Sequence, residues 1–241
     1  MNRRYKLLTA IFASLVLSIG ISRVGFAQTL DIKSFTIIPP AAIASYTFEN
    51  KSLIRSAFIF LGGAVGQSLA AQDSNNENSL NATLDSLKLE LPNELTNAAK
   101  AELEKIGFQA TVMKDLQRSK RWPDWFEYEK LTMQTDAFLH LKIEVIGITS
   151  PCFSERLLPQ MDVSAAIILK NKSKAYTPKW VYFGLNAPDE DRALSAKRNF
   201  SQSFQSIEEI GQDPARIVAM YQSAIPNIAK RIAEEIYDEL F

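Results

Sequence analysis

From Ala137 to Ile148 the chain alternates in character residue by residue. Ala137, Leu139, Leu141, Ile143 and Val145 fall on one side, and Phe138, His140, Lys142 and Glu144 on the other. A period of two belongs to a strand, because successive side chains of a strand point to opposite faces. Met161, Val163, Ala165, Ile167 and Leu169 repeat the pattern, and Lys179 to Gly184 reads as a further strand after a turn through Asn171-Lys172-Ser173-Lys174. Successive strands with short links predict an antiparallel meander with one face buried and the other wetter.

A one-sided sheet needs a cover, and the C-terminus offers one. Asp213 reads as a helix cap and Pro214 as the first helical residue. Beyond them Ile217, Val218, Tyr221, Ala224, Ile225, Ile228, Ile232, Ile236 and Leu240 trace one apolar stripe. Lys230 with Glu234 and Arg231 with Glu235 form four-residue charge pairs on its outer side. Pro226 predicts a kink. The stripe packs on the sheet of its own chain or on another subunit, and the oligomeric state stays open.

Upstream, Lys33 to Ile38 reads as a short strand stopped by Pro39-Pro40, since tandem prolines cannot donate to a ladder. Leu87, Leu89 and Leu91 alternate briefly with Lys88 and Glu90 and suggest an extended segment. Pro92 and Asn93 open a helix in which Leu95, Ala98, Ala99, Leu103 and Ile106 recur at helical steps. Gly107 suits its left-handed end, and Phe108 to Met113 reads as the next strand. The predicted fold class is therefore α+β: a small mixed sheet, βαβ followed by a meander, packed on one side by helices, with a long amphipathic C-terminal helix. The expected divisions are a leader over 1–27, an α/β domain over 28–185, a polar connector over 186–212 and the final helix over 213–241.

The leader is predicted from Arg3, Arg4 and Lys6, the uncharged apolar run Leu7 to Ile21, and small residues Gly25 and Ala27 before Gln28. A basic start, an apolar run of this length and small residues at those positions make a secretory signal, with cleavage after Ala27. The expected location is the periplasm or beyond, the alternative being an inner-membrane anchor left uncleaved. Cys152 is the single cysteine, so an internal disulfide is excluded. Together with the compact basic leader, that reads as bacterial, and the Asn-x-Ser/Thr sequons at Asn50, Asn81, Asn171 and Asn199 then carry no sugar. With 27 basic and 27 acidic residues the formal charge is zero, so neither nucleic acid nor an anionic membrane is expected as the main partner.

Chemistry is scarce. His140, the single histidine, sits on the polar face of the best strand and reads as an exposed strand residue. One His and one Cys are too few for a common structural zinc site. Gly66-Gln67-Ser68-Leu69-Ala70 lacks the second glycine of a nucleophile elbow, no P-loop occurs, and Gly62-Gly63 with Gly66 lacks the spacing of a dinucleotide fingerprint. Asp124, Glu127 and Glu129 beside Trp122 and Trp125 are the only carboxylates suited to glycoside chemistry. No catalytic, cofactor-binding or metal-ligating residue is expected.

Two stretches stand out as contact surfaces. The uncharged segment 56–72 contains Phe58, Phe60 and the glycines Gly62, Gly63 and Gly66, whose GxxxG spacing permits close helix approach. It reads as buried, or as a surface meeting a partner or a membrane. The polar run Asp73 to Asn81 after it reads as a loop. Lys114 to Gln134 is irregular and holds Trp122, Trp125, Phe126 and Tyr128 among Arg118, Lys120 and Arg121. Such rings either cover the core's edge or offer stacking platforms.

The succession Ile37-Ile38-Pro39-Pro40, then a helix ending in Leu103-Glu104-Lys105-Ile106-Gly107-Phe108, then Thr135-Asp136-Ala137-Phe138-Leu139 resembles the α/β domain of bacterial envelope accessory proteins. These are the amino-terminal domain of the translocation protein TolB and the auxiliary lipoproteins of ABC-type transport systems. The resemblance spans roughly Lys33 to Gly184. It implies a βαβ-plus-meander fold and a non-catalytic role in envelope assembly, transport or protein contact, with a carrier of a small apolar or lipid ligand as the alternative and an unusual hydrolase as the third reading. It carries no functional residues over, and this chain lacks the lipoproteins' cysteine.

Overall fold

The computed structural model describes residues 31–50, 63–150, 156–171, 179–183, 193–195 and 203–240. The leader, Phe58, Phe60, Gly62 and Cys152 lie outside them. Ile32–Glu239 pack as one unit. Its strands are β1 (Ser34–Ile38), β2 (Thr47–Asn50), β3 (Gln109–Val112), β4 (Ala137–Ser150), β5 (Leu158–Leu169), β6 (Lys179–Phe183) and β7 (Ala193–Ser195). Its helices are α1 (Gly63–Asp85), α2 (Leu91–Lys105), α3 (Ile207–Gln212) and α4 (Pro214–Leu240).

The sheet runs β3-β1-β4-β5-β6-β7, with β2 also on β4. β4 organises it. Phe35 to Ile38 pair in parallel with Ala137 to His140, and Thr47 to Asn50 pair in parallel with Gly147 to Ser150. β1 and β2 thus line the same side of β4 in two pieces, interrupted where Pro39-Pro40 break the ladder. The junction with β2 is tight: a Cβ on Gly147 would run into the Thr47 carbonyl oxygen. β1 is also parallel to β3, so the β1–α2–β3 passage is the expected βαβ unit.

The meander does not describe the rest of the sheet. β4–β5 and β5–β6 are antiparallel, but β7 runs parallel to β6, and among the described residues four of the six strand pairings are parallel. A bulge between Ile143 and Val145 also changes the phase of β4. An extra residue reverses the in-and-out order beyond it. Ile146 and Ile148 are therefore buried, while Val145, expected on the core face, is only half-buried.

On one face of the sheet Phe35, Ile37, Leu139, Leu141 and Ile167 are completely buried. α4 contributes Ile217, Met220, Tyr221, Ile225, Ile228, Ile232 and Ile236 to the same core. It is tied to the sheet by Tyr221, whose hydroxyl donates to the Gly147 carbonyl at 2.6 Å and whose burial pushes its pKa well up. Gln222 of α4 reaches Glu94 of α2 at 3.0 Å. Thus α4 packs on its own chain. It continues as helix through Pro226, which faces solvent, so the Gln222 carbonyl freed by the missing donor can bond water.

Local expectations fail at three places. Asp73–Asn81 is helical within α1. Leu80 and Leu84 are fully buried, and Asn81 accepts from the Tyr46 amide and donates to the Tyr46 carbonyl, both at 2.7 Å. Leu87–Leu91 is a turn into α2, with Lys88 at φ 48°, and no strand forms there. The stretch read as a polar connector carries β7 and α3. Phe204 pairs twice with Leu157 at 2.8 Å, and Ser206 caps α3 by accepting from the Glu209 amide. Arg216 then lies 4.5 Å above the Phe204 ring and bonds Glu209 at 2.7 Å.

Candidate functional site

The second face of the sheet is covered too. Thr36, Ile38, Phe138, His140, Ala166 and Ile168 share it by register. Met113, Leu116, Phe126, Tyr128, Leu131 and Met133 pack against its buried cluster of Ile38, Phe138, Ala166 and Ile168. A face expected to be wet is dry at this end, because the aromatic segment after β3 folds back over it.

His140 is the clearest correction. It was expected at the surface and is 1% exposed. Its Nδ1 lies 2.7 Å from the Tyr128 hydroxyl, with the Phe126 ring 5.2 Å away at an edge-on angle. Burial raises the Tyr128 pKa, with Asp124 adding to it. An imidazole enclosed by rings is a polar peg for the cover.

Arg118 supplies the second peg. Its Nη1 donates to the Pro123 carbonyl at 2.8 Å and to Asp124 Oδ1 at 2.9 Å. Its Nη2 donates to the Pro39 and Pro40 carbonyls at 2.5 and 3.1 Å. Asp124 Oδ1 also accepts from the Ala41 amide at 2.9 Å. The tandem proline that ends β1 thereby anchors the cover: it donates nothing, and it presents two carbonyls to a planar guanidinium. Burial outweighs these partners and holds the Asp124 carboxyl above its usual range. A third stitch is Asp136 just before β4. Its Oδ2 accepts from the Ser34 hydroxyl at 2.7 Å, the Ser34 amide at 2.9 Å and the Lys33 amide at 3.0 Å, which keeps its pKa low.

On its outer side the cover is different. Trp122 and Trp125 are 62% and 66% exposed. A groove of about 600 Å³ runs beside Trp125, lined by Met113, Leu116, Gln117, Ser119, Phe126, Lys130 and Leu131 among others. Asp115, at φ 55°, turns the chain along its wall. A smaller groove of about 340 Å³ lies between Pro40–Tyr46 and the α1–α2 turn.

The residues singled out in the sequence therefore separate. Tyr128 belongs to the inner side, pinned to His140, whereas Trp122 and Trp125 stay outside. Gly63 begins α1 at φ 76°, and Gly66 lies within that helix. Gln67, Ser68, Ala70, Ala71 and Gln72 are exposed, so the described part of 56–72 is not core. Of the suggested glycoside carboxylates, Asp124 is engaged by Arg118 at 2.9 Å and Glu127 by Lys130 at 2.7 Å. Among the described residues no group of three or more His, Cys, Asp or Glu is placed to hold a metal, and no helix is long and apolar enough to cross a membrane. The sequence reading missed Arg118, Asp124 and Asp136 as structural ties. The cue available was the proline pair, whose carbonyls need donors from elsewhere.

No protein-family profile matches the sequence, and no curated protein is significantly similar to it. Several solved structures are similar in outline. Protein XCC0632 of the DUF330 family from Xanthomonas campestris has 8% identity and a TM-score of 0.36 over 61% of this chain; the chain spans 62% of that protein's length. A minor lipoprotein from Acinetobacter baumannii has 13% identity and a TM-score of 0.34 over 61% of this chain and 84% of its own. A homolog of the neuraminyllactose-binding hemagglutinin from Helicobacter pylori has 11% identity and a TM-score of 0.35 over 88% of this chain and 86% of its own. These likenesses do not confirm the TolB resemblance, and likeness at this level assigns no activity to this chain.

Proposed function

We propose that this protein is an exported accessory protein of the cell envelope, without enzyme activity, that works by holding a segment of a partner protein in the groove beside Trp125. The observation that carries this reading is an exposed indole on a fixed support. Trp125 is 66% exposed, yet the loop that bears it is clamped through Arg118 and Asp124 and pegged through Tyr128 and His140. A large ring presented on a rigid base loses little entropy on binding, and such rings dominate the energetics of protein contacts. The groove's chemistry favours binding over reaction: the Ser119 hydroxyl faces the Trp122 amide at 3.3 Å, and Lys130 is tied to Glu127. A carrier of apolar ligands is less well served, since both grooves mix polar and apolar walls.

The test is photocrosslinking in the native envelope from a probe at Gln117, in the groove, against a control probe at Asn227 on the outer side of α4. A discrete protein adduct should form from Gln117 only. Trp125→Ala should lower its yield roughly tenfold or more, as loss of a central aromatic anchor does, while the thermal midpoint stays put. Equal labelling from both positions, or a groove adduct indifferent to Trp125, would overturn the reading.

A further inference from the structure

The groove accounts for Trp125 but not for Trp122, which lies at the tip of the cover beside Lys120 and Arg121. All three are exposed. We infer that the Lys120–Arg121–Trp122 tip docks on an anionic lipid surface and holds the protein at a membrane without spanning it. This goes beyond the partner-groove reading and uses different residues.

Charge is the first argument. Over the whole chain basic and acidic residues balance, but not at the tip. The nearest acid in sequence, Asp124, is paired with Arg118 at 2.9 Å and accepts from the Ala41 amide. Lys120 and Arg121 form no ion pair among the described residues, so both cations point their charge outward. Positive side chains near a negative leaflet are attracted within a Debye length of its surface.

The ring is the second. Besides Trp122 and Trp125, the large apolar residues exposed among the described ones are Leu87 and Tyr237, at 37% and 47%. Tryptophan, apolar in body and polar at its N–H, settles at the headgroup level of a bilayer. The Arg121 guanidinium lies 5.6 Å from the Trp122 ring centroid, so the indole and a phosphate-binding cation are delivered as one unit.

Rigidity is the third. Pro123 follows Trp122, the Trp122 amide bonds the Ser119 hydroxyl, and the Trp125 amide bonds the Trp122 carbonyl at 3.1 Å. The turn is formed before it meets anything. One indole and two cations make a weak, salt-sensitive and reversible anchor, in keeping with contact at an interface rather than insertion.

The experiment uses the full chain with vesicles of phosphatidylcholine, with and without phosphatidylglycerol, carrying ordinary or brominated acyl chains. Bromine quenches only indoles that reach the bilayer. Quenching should appear with phosphatidylglycerol at low salt and vanish at high salt or in phosphatidylcholine alone. Lys120→Gln with Arg121→Gln should abolish it while the Trp122 indole remains. Trp122→Phe should remove most of it, and Trp125→Phe little. No quenching on anionic vesicles overturns the inference, as does quenching that survives the double glutamine change. Quenching that survives Trp122→Phe overturns it too, by assigning the contact to another indole such as Trp180. If instead an acidic protein protects the tip while brominated lipid does not quench, the tip is a protein surface and the lipid assignment is wrong.

Discussion

At the scale of single residues, the side chains that matter most join strands far apart in the chain. Asp136 accepts three hydrogen bonds from Lys33 and Ser34, across about a hundred residues of sequence. Charge-assisted bonds of this kind are worth about 1.5–3 kcal/mol when well buried, and Asp136 is partly open to solvent. Asp136→Asn should therefore lower stability by about 1–2 kcal/mol at neutral pH, read from the denaturant midpoint. Its pH dependence has a definite sign. The folded-state pKa lies below the unfolded one, so the stabilisation is complete above about pH 4 and drains away as pH falls through the folded value. The asparagine chain should lose less stability on acidification than the parent. Identical acid limbs would remove Asp136 from this role. Asp124 has the opposite shift, raised by burial, and contributes no such acid-side loss. The Asp136 motif was visible in the sequence, but only as part of a family resemblance. That its oxygen would receive the first amides of β1 follows from the parallel register of β1 and β4, which no local pattern specifies.

At the scale of elements, α4 matches its sequence because an isoleucine stripe repeated over many turns is a strong periodic signal. Pro226 tests how such a helix tolerates a missing donor. The proline is exposed and the helix passes through it, so its cost is the lost bond and local steric strain rather than lost packing. Pro226→Ala should stabilise the protein by about 1–3 kcal/mol, seen as a later unfolding midpoint. A neutral or destabilising result would mean that the bend itself is required for α4 to follow the sheet. α1 shows the converse. Its Asn- and Ser-rich middle reads as a loop, because helical preference there is weak. What selects the helix is Leu80, Leu84 and the Asn81 bonds to Tyr46, contacts with residues far earlier in the chain. In β4 the alternation of Ala137–Ile143 was readable, but the extra residue at the bulge was not, since a period of two is blind to an inserted unit until a partner strand counts it. The cover segment was least legible of all. Phe126, Tyr128, Leu131 and Met133 follow neither helical nor strand spacing, so nothing local distinguishes the rings that turn inward from Trp122 and Trp125.

At the scale of the whole molecule, the sheet is enclosed by helices on one side and by an irregular aromatic cover on the other, and that cover is held largely by Arg118. Arg118→Ala should speed amide exchange across Leu116–Met133 while leaving the central amides of β4 and β5 nearly as slow as before, with a loss of about 1–3 kcal/mol in overall stability. Uniform acceleration everywhere would show that the cover is inseparable from the core. The topology has one more consequence. The neighbours of β1, β3 and β4, are made some seventy-five and a hundred residues after it. Until Gln109–Val112 arrives Phe35 and Ile37 have no ladder to join, and the other side of β1 stays unpaired until Ala137–His140 follows. A nascent chain with this order cannot complete its sheet until β4 has been made, so its early strand spends much of synthesis without its full set of neighbours.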